Sequence, residues 1–318
     1  MARERVSDLG EFGLIARLRE RVAPSARVIE GIGDDAAVLE GPGPGRLLLF
    51  ACDTIAEGVH FLAEDAPEQV GHKALACNLS DIAAMGGVPR AATLSLGCAA
   101  ETPVEVIDGI WAGMRTLAEA FEVDLVGGDM HRSRQGLVLS VAIVGEVERE
   151  LCVYRRGAQA GDFLVVTGAL GGSRAGRHLT FTPRVRAGRW LAERRLVSAM
   201  IDLSDGLASD LRRLCEASGV GGELQAARVP ISDAAKARAG AGETKRSALE
   251  RALFDGEDFE LLAAVPPELL DEAATDFFEA FGERLHVVGR TTAERTTILI
   301  HDDGTVQELG AGGFDHFG

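Results

Sequence analysis

Aspartates beside glycines recur along this chain at spacings that could gather carboxylate oxygens around a cation. Gly31-Ile32-Gly33-Asp34-Asp35 sets two carboxylates after a Gly-x-Gly turn, and Asp53 closes the apolar run Leu47–Cys52. Asn78-Leu79-Ser80-Asp81 lies in a helical stretch, where i,i+3 spacing puts Asn78 and Asp81 on one face. Gly127-Gly128-Asp129 and Asp202-Leu203-Ser204-Asp205-Gly206 each close a short β-rich run. A single Asp after Gly is a common turn or helix cap, and Asp205 alone reads as the cap of the helix that follows it. Five such clusters, four of them expected at strand ends, point instead to a shared ligand, because strand ends are where α/β folds bind.

The donor types select the chemistry. All are oxygens, mostly from Asp, with no His or Cys among them, a set that suits Mg²⁺ or Mn²⁺ and disfavours zinc. Magnesium is usually shared with substrate phosphates, so several Asp in one site imply phosphoryl transfer or phosphoester chemistry. The neighbouring glycines let backbone N–H groups approach phosphate oxygens. The chain has no Walker G-x-x-x-x-G-K-[ST] loop and no H-R-D or D-F-G kinase set. Gly168-Ala169-Leu170-Gly171-Gly172 follows an expected strand but lacks the G-x-G-x-x-G spacing of dinucleotide sites.

These clusters need a scaffold, and periodicity suggests one of class α/β. The expected strands of the first half are Leu47–Cys52, Ala91–Leu96, Asp124–Val126 (stopping at Gly127-Gly128) and Leu137–Val147. Helices Pro67–Met85 and Pro103–Phe121 lie between them. The pattern then restarts, with strands Phe163–Thr167, Ala199–Leu203, Glu223–Val229, Phe259–Val265, Leu285–Val288 and Thr296–Ile300. A basic helical stretch follows Gly172, and helices are expected over Asp205–Ala217, Glu243–Leu253 and Glu268–Phe281. Ala234–Thr244 reads as a flexible surface excursion. With 318 residues and a prior of roughly 150 per domain, the reading is two domains, 1–149 and 150–318.

The net charge of −16 repels nucleic acid and anionic membrane, which excludes both as the main partner. Five scattered cysteines without a C-x-x-C pair argue against a disulfide framework or a zinc site and for a reducing cytoplasm. The N-terminus reads as lacking a secretory signal, and no apolar run approaches the ~20 residues of a membrane helix. A cytoplasmic location is the expectation.

The motifs, in their order, resemble the thiamine-monophosphate kinase family, part of a superfamily with aminoimidazole ribonucleotide synthetase and selenophosphate synthetase. The resemblance runs nearly end to end. It rests on EFGLIARL (Glu11–Leu18), GIGDDAAVL (Gly31–Leu39), DTIAEGVHF (Asp53–Phe61), HKALACNLSDIAAMGGVPR (His72–Arg90) and LVGGD (Leu125–Asp129). It continues with GDFLVVTGALGGSRAG from Gly161, IDLSDGLASDL from Ile201, GEDFELL (Gly256–Leu262) and the closing GGFDHF. NLSDIAAMG and DLSDGL mark the superfamily, whereas EGVHF, GEDFELL and GFDHF mark the thiamine branch.

What the resemblance implies is an enzyme that transfers the γ-phosphoryl of ATP to thiamine monophosphate, giving thiamine diphosphate and ADP. Several Mg²⁺ ions and no covalent nucleophile are expected. By motif, Asp35, Cys52, Asp53, Asp81, Asp129, Asp202 and Asp205 are the expected metal ligands. Gly128, Asp129, Arg155 and Ser204 are the expected ATP contacts, with Arg156 the alternative if the register shifts by one. His60, Glu257 and Phe314 are expected on the thiamine-phosphate side. Cys52 stands where the family usually has Thr, and Asp255 where it usually has Gly.

The implied fold is a two-domain arrangement of mixed sheets like that of aminoimidazole ribonucleotide synthetase. Its N-terminal sheet pairs across a homodimer, and its C-terminal domain covers the cleft. Two alternatives remain. One is another ATP-using member of the superfamily, although no Cys precedes GIGDD as selenophosphate synthesis would require. The other is a non-catalytic nucleotide or thiamine-phosphate binder, which loss of metal carboxylates would signal.

Overall fold

The computed structural model describes residues 5–241 and 245–310. After α1 (Val6–Arg19), the first half builds a six-stranded sheet from β1 (Val28–Glu30), β2 (Ala37–Glu40), β3 (Arg46–Ala56), β4 (Val88–Cys98), β5 (Asp124–Arg132) and β6 (Val138–Glu148). The strand order is β1-β2-β3-β6-β4-β5, antiparallel except for the parallel β4–β5 pair. That pair needs a crossover, and α3 (Val104–Ala120) supplies it. One face of the sheet is apolar by strict alternation: Leu139, Val141, Ile143 and Val147 of β6 lie beside Leu47, Leu49, Ala51 and Ile55 of β3.

This face is covered by α2 (Pro67–Ala84), which is buried along most of its length because it packs on both sides. It contacts β3, β6 and α3 in one direction and the second half of the chain in the other. Two glycines set the approach of α2 to α3: a Cβ on Gly71 would lie 1.8 Å from the Ile110 carbonyl oxygen, and one on Gly113 1.8 Å from that of Glu68.

The second half forms a seven-stranded sheet from β7 (Phe163–Val166), β8 (Ala199–Asp202), β9 (Gly221–Gln225), β10 (Leu261–Val265), β11 (His286–Thr292), β12 (Thr297–Ile300) and β13 (Val306–Glu308). Its order is β13-β12-β9-β11-β7-β10-β8, with only β9–β12 parallel. Helices α4 (Val185–Glu193), α5 (Leu207–Ser218), α6 (Asp233–Ala237), α7 (Ala248–Phe254) and α8 (Leu270–Phe281) accompany it. Both faces are buried, so β10 reads as an unbroken apolar run and β8 as one up to its closing Asp202. Leu261 and Ala263 join the core that continues through α2 into the first sheet, while Leu262 and Ala264 join a separate core under α5.

Several expectations change. Strand β5 does not stop at Gly127-Gly128 but runs on to Arg132. The glycines allow the strand to continue: Gly128 has φ +155°, and a Cβ there would lie 1.8 Å from the Leu94 carbonyl oxygen of β4. The basic stretch after Gly172 is two single 3₁₀ turns, Ser173–Ala175 and Arg177–Leu179, separated by Gly176 at φ +127°. The expected excursion 234–244 contains most of α6, capped by the Ser232 hydroxyl accepting from Ala235 N. The expected helix Glu243–Leu253 begins only at Ala248, after a Ser247/Glu250 capping box.

Candidate active site

A cleft of about 940 Å³ opens between the two halves. At its floor, ligand oxygens of Asp35, Asp81 and Asp202 all lie within 4.8 Å of one another. Asp35 comes from the turn between β1 and β2, Asp81 from the last turn of α2 and Asp202 from the end of β8, so both sheets contribute. Asp53 and Asp205 line the same cleft. The expected placement at strand ends holds for Asp202 but not for Asp53 or Asp129, which stand inside β3 and β5.

Neighbouring groups hold the cluster. The Asp53 backbone N–H donates to Asn78 Oδ1 at 3.1 Å, tying β3 to α2, and the Ser80 hydroxyl donates to Asp202 at 2.7 Å. Asp210 accepts from the backbone N–H groups of Asp205 and Gly206, both at 3.1 Å. Arg213, lying 4.1 Å over the Phe12 ring of α1, pairs with Asp205 at 2.6 Å. Asp34, adjacent to the predicted ligand Asp35, accepts the backbone N–H of Arg155. That fixes the Arg155 guanidinium, which donates to Asp35 Oδ1 at 2.6 Å.

Gathering carboxylates away from water raises their proton affinity. Burial and then the charges of Asp205 and Asp35 push Asp53 to about 6, and burial and then Asp35 push Asp34 to about 7. Burial also holds Asp81 and Asp202 well above the usual carboxylate range, aided by Asp53 for Asp81 and by Asp35 for Asp202. The buried Oδ2 of Asp35 has no hydrogen-bond partner among the described residues. An all-oxygen, crowded and partly orphaned donor set fits a hard divalent cation.

At the other end of the cleft stand His60 and Glu257. His60 Nδ1 accepts from the Ala56 N–H at 3.1 Å, so in the neutral ring the proton sits on Nε2. The Glu257 carboxylate takes hydrogen bonds from Lys73 Nζ at 2.5 Å and from Arg174 Nε at 3.2 Å. Glu257 and Phe259 both have left-handed backbones, at φ +56° and +48°, a strain that functional sites often store. The other carboxylates of GEDFELL are structural. Asp258 accepts from Gly171 N and the Ser173 hydroxyl, and Glu260 from Thr167, Arg177 and Arg184. They explain the Gly168–Gly172 loop as an anchored turn.

Of the remaining expected residues, Arg155 and Ser204 line the cleft. Arg156, the alternative to Arg155, pairs instead with Glu30 at 3.3 Å and does not line the cleft. Cys52 also lines the cleft, exposed on the outer face of β3 with its Sγ 3.6 Å from the Ser140 hydroxyl. Asp255 is paired with Arg246 at 3.1 Å and Arg251 at 3.3 Å, so its extra charge is neutralised away from the cleft.

Gly128 and Asp129 are not brought to the cluster. Asp129 sits opposite Ser95, Ser95 opposite Ser140, and Ser140 opposite Thr54, a row on the outer face of the sheet. Strand β5 is three strands from β3, roughly 14 Å at the usual spacing. Phe314 lies outside the described residues. Sequence reasoning assigned no role to Lys73, Arg174 or Arg213, although Lys73 lies in the HKALACNLSD motif and Arg174 in GDFLVVTGALGGSRAG.

The model for AIR synthase related protein, N-terminal domain, matches residues 33–147, and that for the C-terminal domain matches residues 157–302. The thiamine-monophosphate kinase of Rhodopirellula baltica is 42% identical over 292 residues, 88% of this chain and 90% of its own. The chain belongs to the thiamine-monophosphate kinase family. The kinase of that name from Salmonella typhimurium is 36% identical over 97% of this chain and 98% of its own. Among structures of the thiamine-monophosphate kinase family, AaThiL complexed with AMPPCP and TMP superposes with a TM-score of 0.85 at 31% identity, covering 99% of this chain and 100% of that one. Membership in the thiamine-monophosphate kinase family bears out the expected two-domain architecture of mixed sheets.

Proposed function

We propose that this chain phosphorylates thiamine monophosphate to thiamine diphosphate, using ATP and direct in-line transfer of the γ-phosphoryl group. The observation that carries the reading is the Asp35–Asp81–Asp202 cluster at the floor of a cleft whose far end presents His60 and Glu257. Donor and acceptor are both phosphates, so catalysis rests on bringing two anions together rather than on a nucleophilic side chain. Asp35, Asp53, Asp81, Asp202 and Asp205 are the residues that would hold Mg²⁺, with Cys52 and Asp129 further candidates on the outer face. Several bound Mg²⁺ ions would supply neutralisation of the facing phosphates.

Arg155 and Ser204 meet the ATP phosphates, and the Arg155 fork suits bidentate phosphate contact. The nucleotide extends over the outer face of the first sheet, along the row that ends at Asp129, with Gly128 preceding it in β5. Glu257 faces the cationic thiazolium or accepts from the aminopyrimidine, and the His60 Nε2–H donates toward the acceptor phosphate.

The N-terminal domain (1–149) supplies most of the metal and ATP side, and the C-terminal domain (150–318) closes the cleft. The working form is a homodimer joined along β5, an edge strand that leaves Val126 and Met130 exposed. No helix of the described residues is long and apolar enough to cross a membrane, and we place the enzyme in the cytoplasm. A coupled assay for ADP with ATP, Mg²⁺ and thiamine monophosphate tests the activity. Turnover is expected, and none in the presence of Mg²⁺ would sink the reading. A solution mass corresponding only to monomer would remove the dimer.

A further inference from the structure

The side chain of Lys73 is 0% exposed, although it forms part of the cleft wall. Its ammonium donates to the Glu257 carboxylate at 2.5 Å and to the backbone carbonyl of His60 at 2.7 Å. Lys73 and Glu257 are 184 positions apart and belong to different halves of the molecule. One ammonium therefore joins the His60 turn, the Glu257 loop and helix α2.

A desolvated ion pair is a poor way to gain stability, because removing two charges from water offsets most of their attraction. An apolar pair of similar volume would pack a core as well or better. Here, however, the pair sits between the two groups that face the acceptor. The carbonyl contact fixes the His60 turn while the ring is held by Ala56, and the carboxylate contact fixes Glu257 on a backbone already strained into the left-handed region.

Helix α2 adds a third fixed point. Lys73, Cys77 and Asp81 recur every four residues on the face that lines the cleft. Eight residues of helix separate the Cα atoms of Lys73 and Asp81 along the axis by roughly 12 Å. A rigid helix thus sets the spacing between the acceptor's organic end and the floor where phosphates meet.

We propose that Lys73 is the positioning residue of the acceptor pocket, holding Glu257 and His60 at a set distance from each other and from the aspartate cluster. This rests on the thiamine monophosphate reading above.

The test is steady-state kinetics of full-length Lys73→Met and Lys73→Gln, each with thiamine monophosphate and ATP varied in turn. The expected result is a KM for thiamine monophosphate raised about tenfold or more, with the KM for ATP within about twofold of wild type. Combined with Glu257→Gln, Lys73→Met should raise that KM by less than the product of the two single effects, because both changes remove the Lys73–Glu257 contact. A folded Lys73→Met with an unchanged KM for thiamine monophosphate overturns the proposal, as does a parallel rise in both KM values. If Lys73→Met does not fold, Lys73→Gln, which keeps a neutral donor for the His60 carbonyl, decides the matter. Loss of folding in both assigns the pair to stability alone and overturns the proposal too. Failure of the wild type to use thiamine monophosphate would instead strike at the activity, so the two failures are separable.

Discussion

Replacing Asp81 by Asn should stabilise the metal-free protein while removing much of its response to Mg²⁺. Oxygens of Asp81 lie within 4.8 Å of those of Asp35 and Asp202. At an effective dielectric constant of about 20, one pair of full charges at that separation repels by about 3.5 kcal/mol. Protons already relieve part of this, since burial, aided by Asp53 for Asp81 and by Asp35 for Asp202, holds both carboxyls well above the usual range. A net gain of about 1–3 kcal/mol is therefore expected on removing one charge, and the melting temperature should rise by several degrees. The assay is thermal unfolding at pH 8, once with EDTA and once with excess Mg²⁺. Wild type should gain more from Mg²⁺ than Asp81→Asn does. Two results would refute the reasoning: a less stable Asp81→Asn in EDTA, or an equal Mg²⁺ response in both proteins.

The same electrostatics set a pH dependence. Buried Asp53, Asp34 and Asp210 have folded pKa values raised from 3.8 to about 6, 7 and 8, so the folded state holds more protons than the unfolded state across that interval. Their contribution to stability is present below pH 4 and lost as pH rises through 6 to 8, so the melting temperature in EDTA should fall over that window and flatten with Mg²⁺. A rise in EDTA would contradict the assignment. Asp205→Asn should lower turnover by about a hundredfold or more, with a melting temperature within a few degrees of wild type; equal damage to both would make Asp205 a structural residue. Asp129→Asn should mainly raise the KM for ATP, read from initial rates at varied ATP, given its place on the outer face away from the cluster. Gly71→Ala should cost about 1–3 kcal/mol or more in denaturant unfolding, because its Cβ would lie 1.8 Å from the Ile110 carbonyl oxygen.

Local chemistry was legible in the chain by itself. The Asp-rich, Cys- and His-poor donor set already named a hard cation and phosphate, because ligand preference depends on atom type rather than on fold. Apolar periodicity located the central parts of β3, β4, β6, α2 and α3, and the motif order pointed to the family. Periodicity did not reveal α1, β1 or β2 before the first strong apolar run. It also stopped β5 at its glycines, since the close approach to the Leu94 carbonyl is set by a neighbouring strand that no local pattern encodes.

Only the tertiary structure decided which carboxylates meet. Asp35, Asp81 and Asp202 converge because α2 is pressed between two sheets, whereas Asp129 lies on the opposite face of the first sheet. It also paired Arg155 with Asp35 and Arg156 with Glu30, neutralised Asp255 with two arginines and joined Lys73 to Glu257. The physical reason is one of range. Sequence spacing governs neighbours along a helix or strand, while a site assembled from distant segments depends on the packing of the whole core.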